Sequence, residues 1–263
     1  MSLVDRGAGR PLVLVPGLQG RWEWNRPAID ALERRFRVLT FSLNDVPESE
    51  PRMFDWWVQK IDELIDRTGE PAAIVTGVSF GGLIAALYAA RRPERTAALV
   101  LVSAPPPDFA IQPQMMAHIA RPVLTFPIFA VRAVRRFIPE FIACRPTWPG
   151  RVAFALSYAR WPIVAPGSPR RMAEWVRAWK ELDMIDEIST VRAPTLVVTG
   201  EARLDGVVPV ASTLRYLDLI PGSTHEIISG TGHTNLVSKP EEFAAIVARF
   251  AARVRPSVTA PCT

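Results

Sequence analysis

Cysteine is almost missing from this chain. Cys144 and Cys262 are the only two in 263 residues, and neither sits in a CxxC pair or beside metal-ligating companions. Disulfide scaffolds and zinc ribbons are thereby excluded. Histidine is nearly as scarce, with three residues, so imidazole chemistry has few candidates. No apolar run approaches the ~20 residues that a bilayer-spanning helix needs. The apolar run after Arg10, PLVLV, is too short for the core of a secretory signal, which makes the cytoplasm the expected location. There is no Gly-Lys-Ser/Thr phosphate loop and no helix-turn-helix, RNP or zinc-finger pattern, so no nucleic-acid partner is expected. Internal repeats and low-complexity stretches are also absent.

What is present suits one large domain, or one domain carrying an insertion. The chain is 49% hydrophobic and 22% charged, with a formal net charge of +5. The positive excess is concentrated. From Asp108 to Asp183 there are eleven basic and five acidic residues, leaving the rest of the chain close to neutral. Without a recognition motif, this block reads as a solvated cationic face.

Short runs rich in Val, Leu and Ile recur at Pro11–Val15, Phe36–Phe41, Ala72–Val78, Ala97–Val102 and Thr195–Thr199, with a weaker one at His225–Ser229. Such continuity is what strands covered on both faces require. Between them, apolar residues return every three or four positions, as in Trp57, Val58, Ile61, Leu64 and Ile65, or Phe243, Ile246, Val247 and Phe250. Strands alternating with helices predict an α/β fold with a mostly parallel sheet. The rhythm stops between Pro105 and Val191, where prolines and large aromatics replace strand-like runs. A helical insertion over 108–191 follows, set into a catalytic domain of 1–107 and 192–255, with a frayed tail at 256–263.

The sharpest local pattern is Gly77-Val78-Ser79-Phe80-Gly81-Gly82, lying between a strand run and a helical period. A turn this tight demands small neighbours, and it presents a serine hydroxyl at a helix's positive end. Ser79 is therefore the candidate nucleophile. A serine needs a base. His118 falls inside the insertion and His225 within a strand run, whereas His233 lies in Gly230–Asn235, a loop between the weak strand and the last helix. Loops at the carboxyl ends of parallel strands are where ligands meet such sheets. For the acid that orients the imidazole, Asp205 follows the TLVVT strand, with Glu201 and Asp108 as rivals. The Gly-rich stretch Pro16–Gly20 could turn backbone N–H groups toward the serine, and the amides of Leu18 and Phe80 are the candidate oxyanion donors.

With these motifs in order, the chain resembles the α/β-hydrolase superfamily from about Arg10 to Arg253, outside the insertion. GVSFGG resembles its nucleophile elbow and VPGLQG its oxyanion loop. APTLVVTGE with DGVVP resembles its acid-bearing strand and loop, and THEIISGTGHTNLVSKPEEF its histidine loop and final helix. The resemblance implies a Ser79–Asp205–His233 triad and a cap domain inserted after the family's sixth strand. It also implies a hydrolase that needs no cofactor or metal. There are three departures. Pro16 stands where the family commonly has histidine, the acid loop is about two residues longer, and the N-terminal edge of the sheet must be shortened or missing.

The implied activity is cleavage of an ester-like bond in a small or medium apolar substrate. Carbon–carbon bond hydrolysis of a diketone, lactone or thioester cleavage, and a non-catalytic receptor on the same fold are the competitors. Within Arg121–Ile142, Phe126, Phe129, Val131, Phe137 and Phe141 are expected to pack the insertion against the catalytic domain. Pro122, Pro127 and Pro139 are expected to interrupt any long interfacial helix.

Overall fold

Apolar runs covered on both faces become the strands of one sheet. The computed structural model describes residues 3–111, 113–145 and 147–254. The chain begins β1 (Val4–Arg6), β2 (Pro11–Val15), α1 (Arg26–Leu32), β3 (Arg37–Thr40), α2 (Met53–Asp66), β4 (Ala73–Val78), α3 (Phe80–Arg91) and β5 (Thr96–Val102). Six helices follow: α4 (Pro113–Ala120), α5 (Pro122–Ala143), α6 (Trp148–Ala159), α7 (Trp161–Val164), α8 (Pro169–Glu181) and α9 (Ile185–Ser189). The alternation then resumes with β6 (Thr195–Thr199), α10 (Val210–Thr213), α11 (Arg215–Leu219), β7 (Thr224–Ile227), α12 (Asn235–Ser238) and α13 (Pro240–Arg253). The expected tail at 256–263 lies outside the described residues.

The strand order is β1-β3-β2-β4-β5-β6-β7, and every pairing is parallel except β1 with β3. The N-terminal edge is therefore one strand short. The family's sixth strand is the fifth here, and the helical insertion leaves from its end. β1 escapes notice in the sequence because three residues, VDR, make no apolar run.

The pleat divides the core. Val13 and Val15 face one side with Leu39, Val75, Leu99 and Val197, beneath α2 and α3. Leu12 and Leu14 face the other with Val38, Ile74, Val100 and Val198, beneath α1 and α13. Alternate residues of fully buried strands thus serve two separate helical layers.

α5 departs from expectation. It runs unbroken for 22 residues with Pro127 and Pro139 inside it. Both prolines are on its exposed side, so the carbonyls they leave without an amide partner can be met by water. Phe137 stacks on Phe141, which lies edge-on to Phe154 of α6 at 5.1 Å, so these rings join helices of the insertion to one another, and Phe126 is 36% exposed. Val131 is 61% exposed. Among the described residues, no helix is long and apolar enough to cross a membrane.

Candidate active site

β4 ends at Val78 and α3 starts at Phe80, so Ser79 alone makes the turn. Its φ of 51° and ψ of −123° are unfavourable for an L-residue, at a cost of ~1–3 kcal/mol. The surrounding glycines hold that strain by letting backbones touch. A Cβ on Gly77 would come within 2.4 Å of the Gly81 carbonyl oxygen. One on Gly81 would meet the carbonyl oxygens of Pro16 and Val15 at 2.4 and 2.5 Å. Gly81→Ala must therefore push α3 away from the Pro16–Gly20 loop. It is expected to cost about 1–3 kcal/mol, read as a Tm several degrees lower with reduced turnover; an unchanged melt and rate would contradict this packing.

Phe80 anchors the other side of the turn. Its ring meets Trp57 at 5.9 Å, Trp175 at 6.4 Å and Trp179 at 6.2 Å. Trp175 and Trp179 lie one turn apart on α8, so the same ring that fixes the turn also seats the insertion over it. Truncating a buried aromatic of this kind typically costs ~3–5 kcal/mol.

β7 leads through Gly230 and Gly232 into the loop bearing His233. The Asn235 amide ties that loop to the end of β5, donating to Ser103 Oγ at 3.0 Å and to the Gly232 carbonyl at 3.1 Å. His233 is thereby aimed at the turn, with Nε2 3.0 Å from Ser79 Oγ. On its other side Nδ1 lies 3.1 Å from Asp205 Oδ2. The second Asp205 oxygen accepts the Val207 and Val208 amides at 3.0 and 2.9 Å. A carboxylate acceptor beyond Nδ1 fixes the proton there and leaves Nε2 free to accept from the serine.

The rivals for the acid are engaged elsewhere. Glu201 accepts the Gly230 amide at 2.6 Å and pairs with Arg203, and Asp108 pairs with Arg215 at 2.8 Å. Of the other histidines, His225 sits in β7 with Nε2 2.8 Å from Thr199 Oγ1. His118 is in α4.

The electrostatics follow from this arrangement. Burial opposes charge on His233, yet the Asp205 carboxylate, with a smaller contribution from Glu140, holds its pKa above the ordinary 6.5. Burial likewise opposes charge on Asp205, but His233 and the two backbone amides outweigh it and keep the carboxyl below its usual range.

Gly17 lies beside the turn, since a Cβ built on it would be 3.5 Å from that of Ser79. Among the described residues, neither the Leu18 nor the Phe80 amide donates to another backbone carbonyl. Leu18, Ser79 and Phe80 together border a cavity of about 120 Å³, roofed by Phe109, Phe129 and Trp179. Its size approaches the ~150 Å³ that accommodates a benzene ring.

Sequence reasoning missed several residues at this site. His118, Arg132 and Arg136 line the cavity from α4 and α5, placing two guanidinium groups and an imidazole, whose pKa burial and the two arginines hold below 6.5, in an otherwise apolar chamber. Glu140 on α5 is fully buried. Both its oxygens accept the Thr234 amide at 3.1 Å, and Ser238 Oγ donates at 3.3 Å, with His233 close enough to act on its charge. Burial consequently raises its pKa, against the lowering effect of the loop's hydrogen bonds. The one available signal was a lone acid within a long basic and apolar stretch.

The parallel order with a serine turn between β4 and α3 defines an α/β-hydrolase. The chain belongs to the alpha/beta hydrolase family, whose family model matches residues 12–246. Among curated relatives it is 27% identical to 2-hydroxy-6-oxo-2,4-heptadienoate hydrolase of Pseudomonas putida, covering 95% of this chain and 92% of that one. It is 24% identical to the pimeloyl-[acyl-carrier protein] methyl ester esterase of Vibrio campbellii, over 94% and 96% of the two chains. In fold it is similar to an esterase from Rhodococcus sp. ECU1013, with a TM-score of 0.76, 23% identity, and coverage of 96% and 94%.

Proposed function

We propose that the protein is a serine hydrolase cleaving an ester-like bond in a small or medium apolar substrate, with residues 108–191 as a cap over the site. The observation that carries this is the continuous Ser79–His233–Asp205 hydrogen-bond chain opening at its serine end into an apolar cavity. Ser79 Oγ attacks the acyl carbon as its proton passes to His233 Nε2. The negative charge on the carbonyl oxygen is met by the Leu18 and Phe80 amides, each donor typically lowering the barrier by ~3–4 kcal/mol. His233 then protonates the departing alkoxide, leaving an acyl-serine. Water, deprotonated by the same imidazole, attacks the acyl carbon and releases the acid and a restored serine.

A burst of alcohol from an aryl ester, together with labelling of Ser79 by an organophosphonate, is the expected result. Absence of both would refute the acyl-enzyme. Acidity supplies another check. His233 must be neutral to accept the seryl proton, so kcat/KM is expected to rise with pH through a midpoint above 6.5. A profile with no acidic limb would remove His233 from the base role.

A second reading, carbon–carbon bond hydrolysis of a diketone-type substrate, draws support from Arg132, Arg136 and His118 in the cavity, which suit an anionic group. The relative from P. putida is named for a dienoate. Comparing turnover of aryl esters with vinylogous diketones separates the two.

A further inference from the structure

Large apolar side chains left in water are unevenly distributed in this molecule. Among the described residues there are fifteen, and fourteen of them fall between Met116 and Val164. On α5 five of them follow the side opposite the cavity-lining Phe129, Ala133 and Arg136. Leu124, Ile128, Val131, Ile138 and Ile142 recur at helical spacing with exposures of 72, 55, 61, 45 and 49%. The inward side of the same helix carries Phe129, Ala133, Arg136 and the buried Glu140. A helix whose outer side met only water would show the reverse pattern. α6 repeats the feature, with Trp148 at 72% and Leu156 at 68% exposure.

The charge on this surface has one sign. From Phe109 to Ala173 the sequence has nine arginines and a single acid, Glu140, which is fully buried. That stretch offers water no carboxylate. Arg121, Arg135 and Arg160 are exposed and make no ion pair among the described residues.

We propose that the outer face of α5 and α6 docks on an anionic lipid bilayer, its aliphatic stripe at the acyl boundary and its arginines among the headgroup phosphates. The apolar residues extend along a 22-residue helix, about 33 Å, and onto a second helix. They are not gathered into a pocket for one partner side chain. A second copy of this chain would bring the same uncompensated arginines together. A bilayer supplies both the apolar depth and the negative charge. Because Arg132 and Ala133 on the same helix line the cavity, docking also places the chamber about one helix diameter from lipid. On the hydrolase reading, this gives apolar substrates a short route to Ser79.

The test is co-sedimentation of the whole protein with vesicles of phosphatidylcholine alone, or mixed with phosphatidylglycerol, at low and high salt. Binding to the anionic vesicles is expected to be at least about ten-fold stronger than to the neutral ones, and to weaken with salt. Combined Leu124→Gln, Ile128→Gln and Val131→Gln should weaken it by more than about ten-fold, and Arg135→Gln alone by about five-fold. Turnover of a water-soluble ester without vesicles should be unchanged in both variants, which also shows that they fold. Ser79→Ala should bind vesicles as the parent does, so loss of hydrolysis and loss of docking are separable. Failure to bind anionic vesicles, equal binding to neutral ones, or full binding by the triple variant would each overturn the proposal. So would a dimer that forms without lipid and is dissolved by the triple substitution.

Discussion

Ser79→Ala is expected to lower kcat for an aryl ester by about 10⁶-fold, with KM and Tm nearly unchanged. The size of the effect follows from what is removed. On the proposed mechanism the hydroxyl forms the covalent bond, and its Oγ lies 3.0 Å from the imidazole proposed to take its proton. Alanine leaves the cavity walls, the Phe80 ring contacts and the glycine packing in place, so binding and folding have no reason to suffer. The unfavourable φ of 51° is retained by alanine, which adds no new strain. Residual catalysis can then come only from binding and from the Leu18 and Phe80 amides. A steady-state assay on purified variant, with the burst phase as control, reads the result. Activity above about a thousandth of the parent would mean that another group is the nucleophile.

Asp205→Asn is expected to reduce kcat by about 10⁴-fold. The side chain keeps its size and can still accept the Val207 and Val208 amides, so the loop holds its shape. What changes is the face presented to His233 Nδ1. An amide nitrogen there would compel Nδ1 to accept, moving the ring proton to Nε2, where it can no longer take one from Ser79. The acidic limb of the pH profile should move downward at the same time. Burial lowers the His233 pKa, and the carboxylate that overcame it is gone. Glu201→Gln should have a far smaller effect, because Glu201 is committed to the Gly230 amide and Arg203. If Glu201→Gln proved the more damaging change, Asp205 would not be the acid.

Much of this molecule is legible in its residues, for physical reasons. Strands covered on both faces must be apolar throughout, so PLVLV, AALVLV and TLVVT announce themselves. The turn at Ser79 needs glycines at fixed offsets, and three histidines leave little ambiguity about the base. Asp205 could be favoured by chain order, but which of Asp205, Glu201 and Asp108 lies beside the imidazole is told only by distances. Glu140 was out of reach because its partners are 94 and 98 positions away. The course of α5 was misjudged because proline rules assume that a lost amide leaves a carbonyl unsatisfied. At Pro127 and Pro139 that carbonyl is on the wet side.

Glu140 carries a further implication for how wide a substrate this protein can accept. The carboxylate bolts the roof helix directly to the strip of chain that aims the base. Swinging that helix outward to admit a bulkier molecule would strip Thr234 and Ser238 of their acceptor and release the imidazole from its bearing. On the proposed mechanism, size selection and catalytic readiness would then share one latch: a guest that forced the roof open would disarm the machinery it was meant to reach.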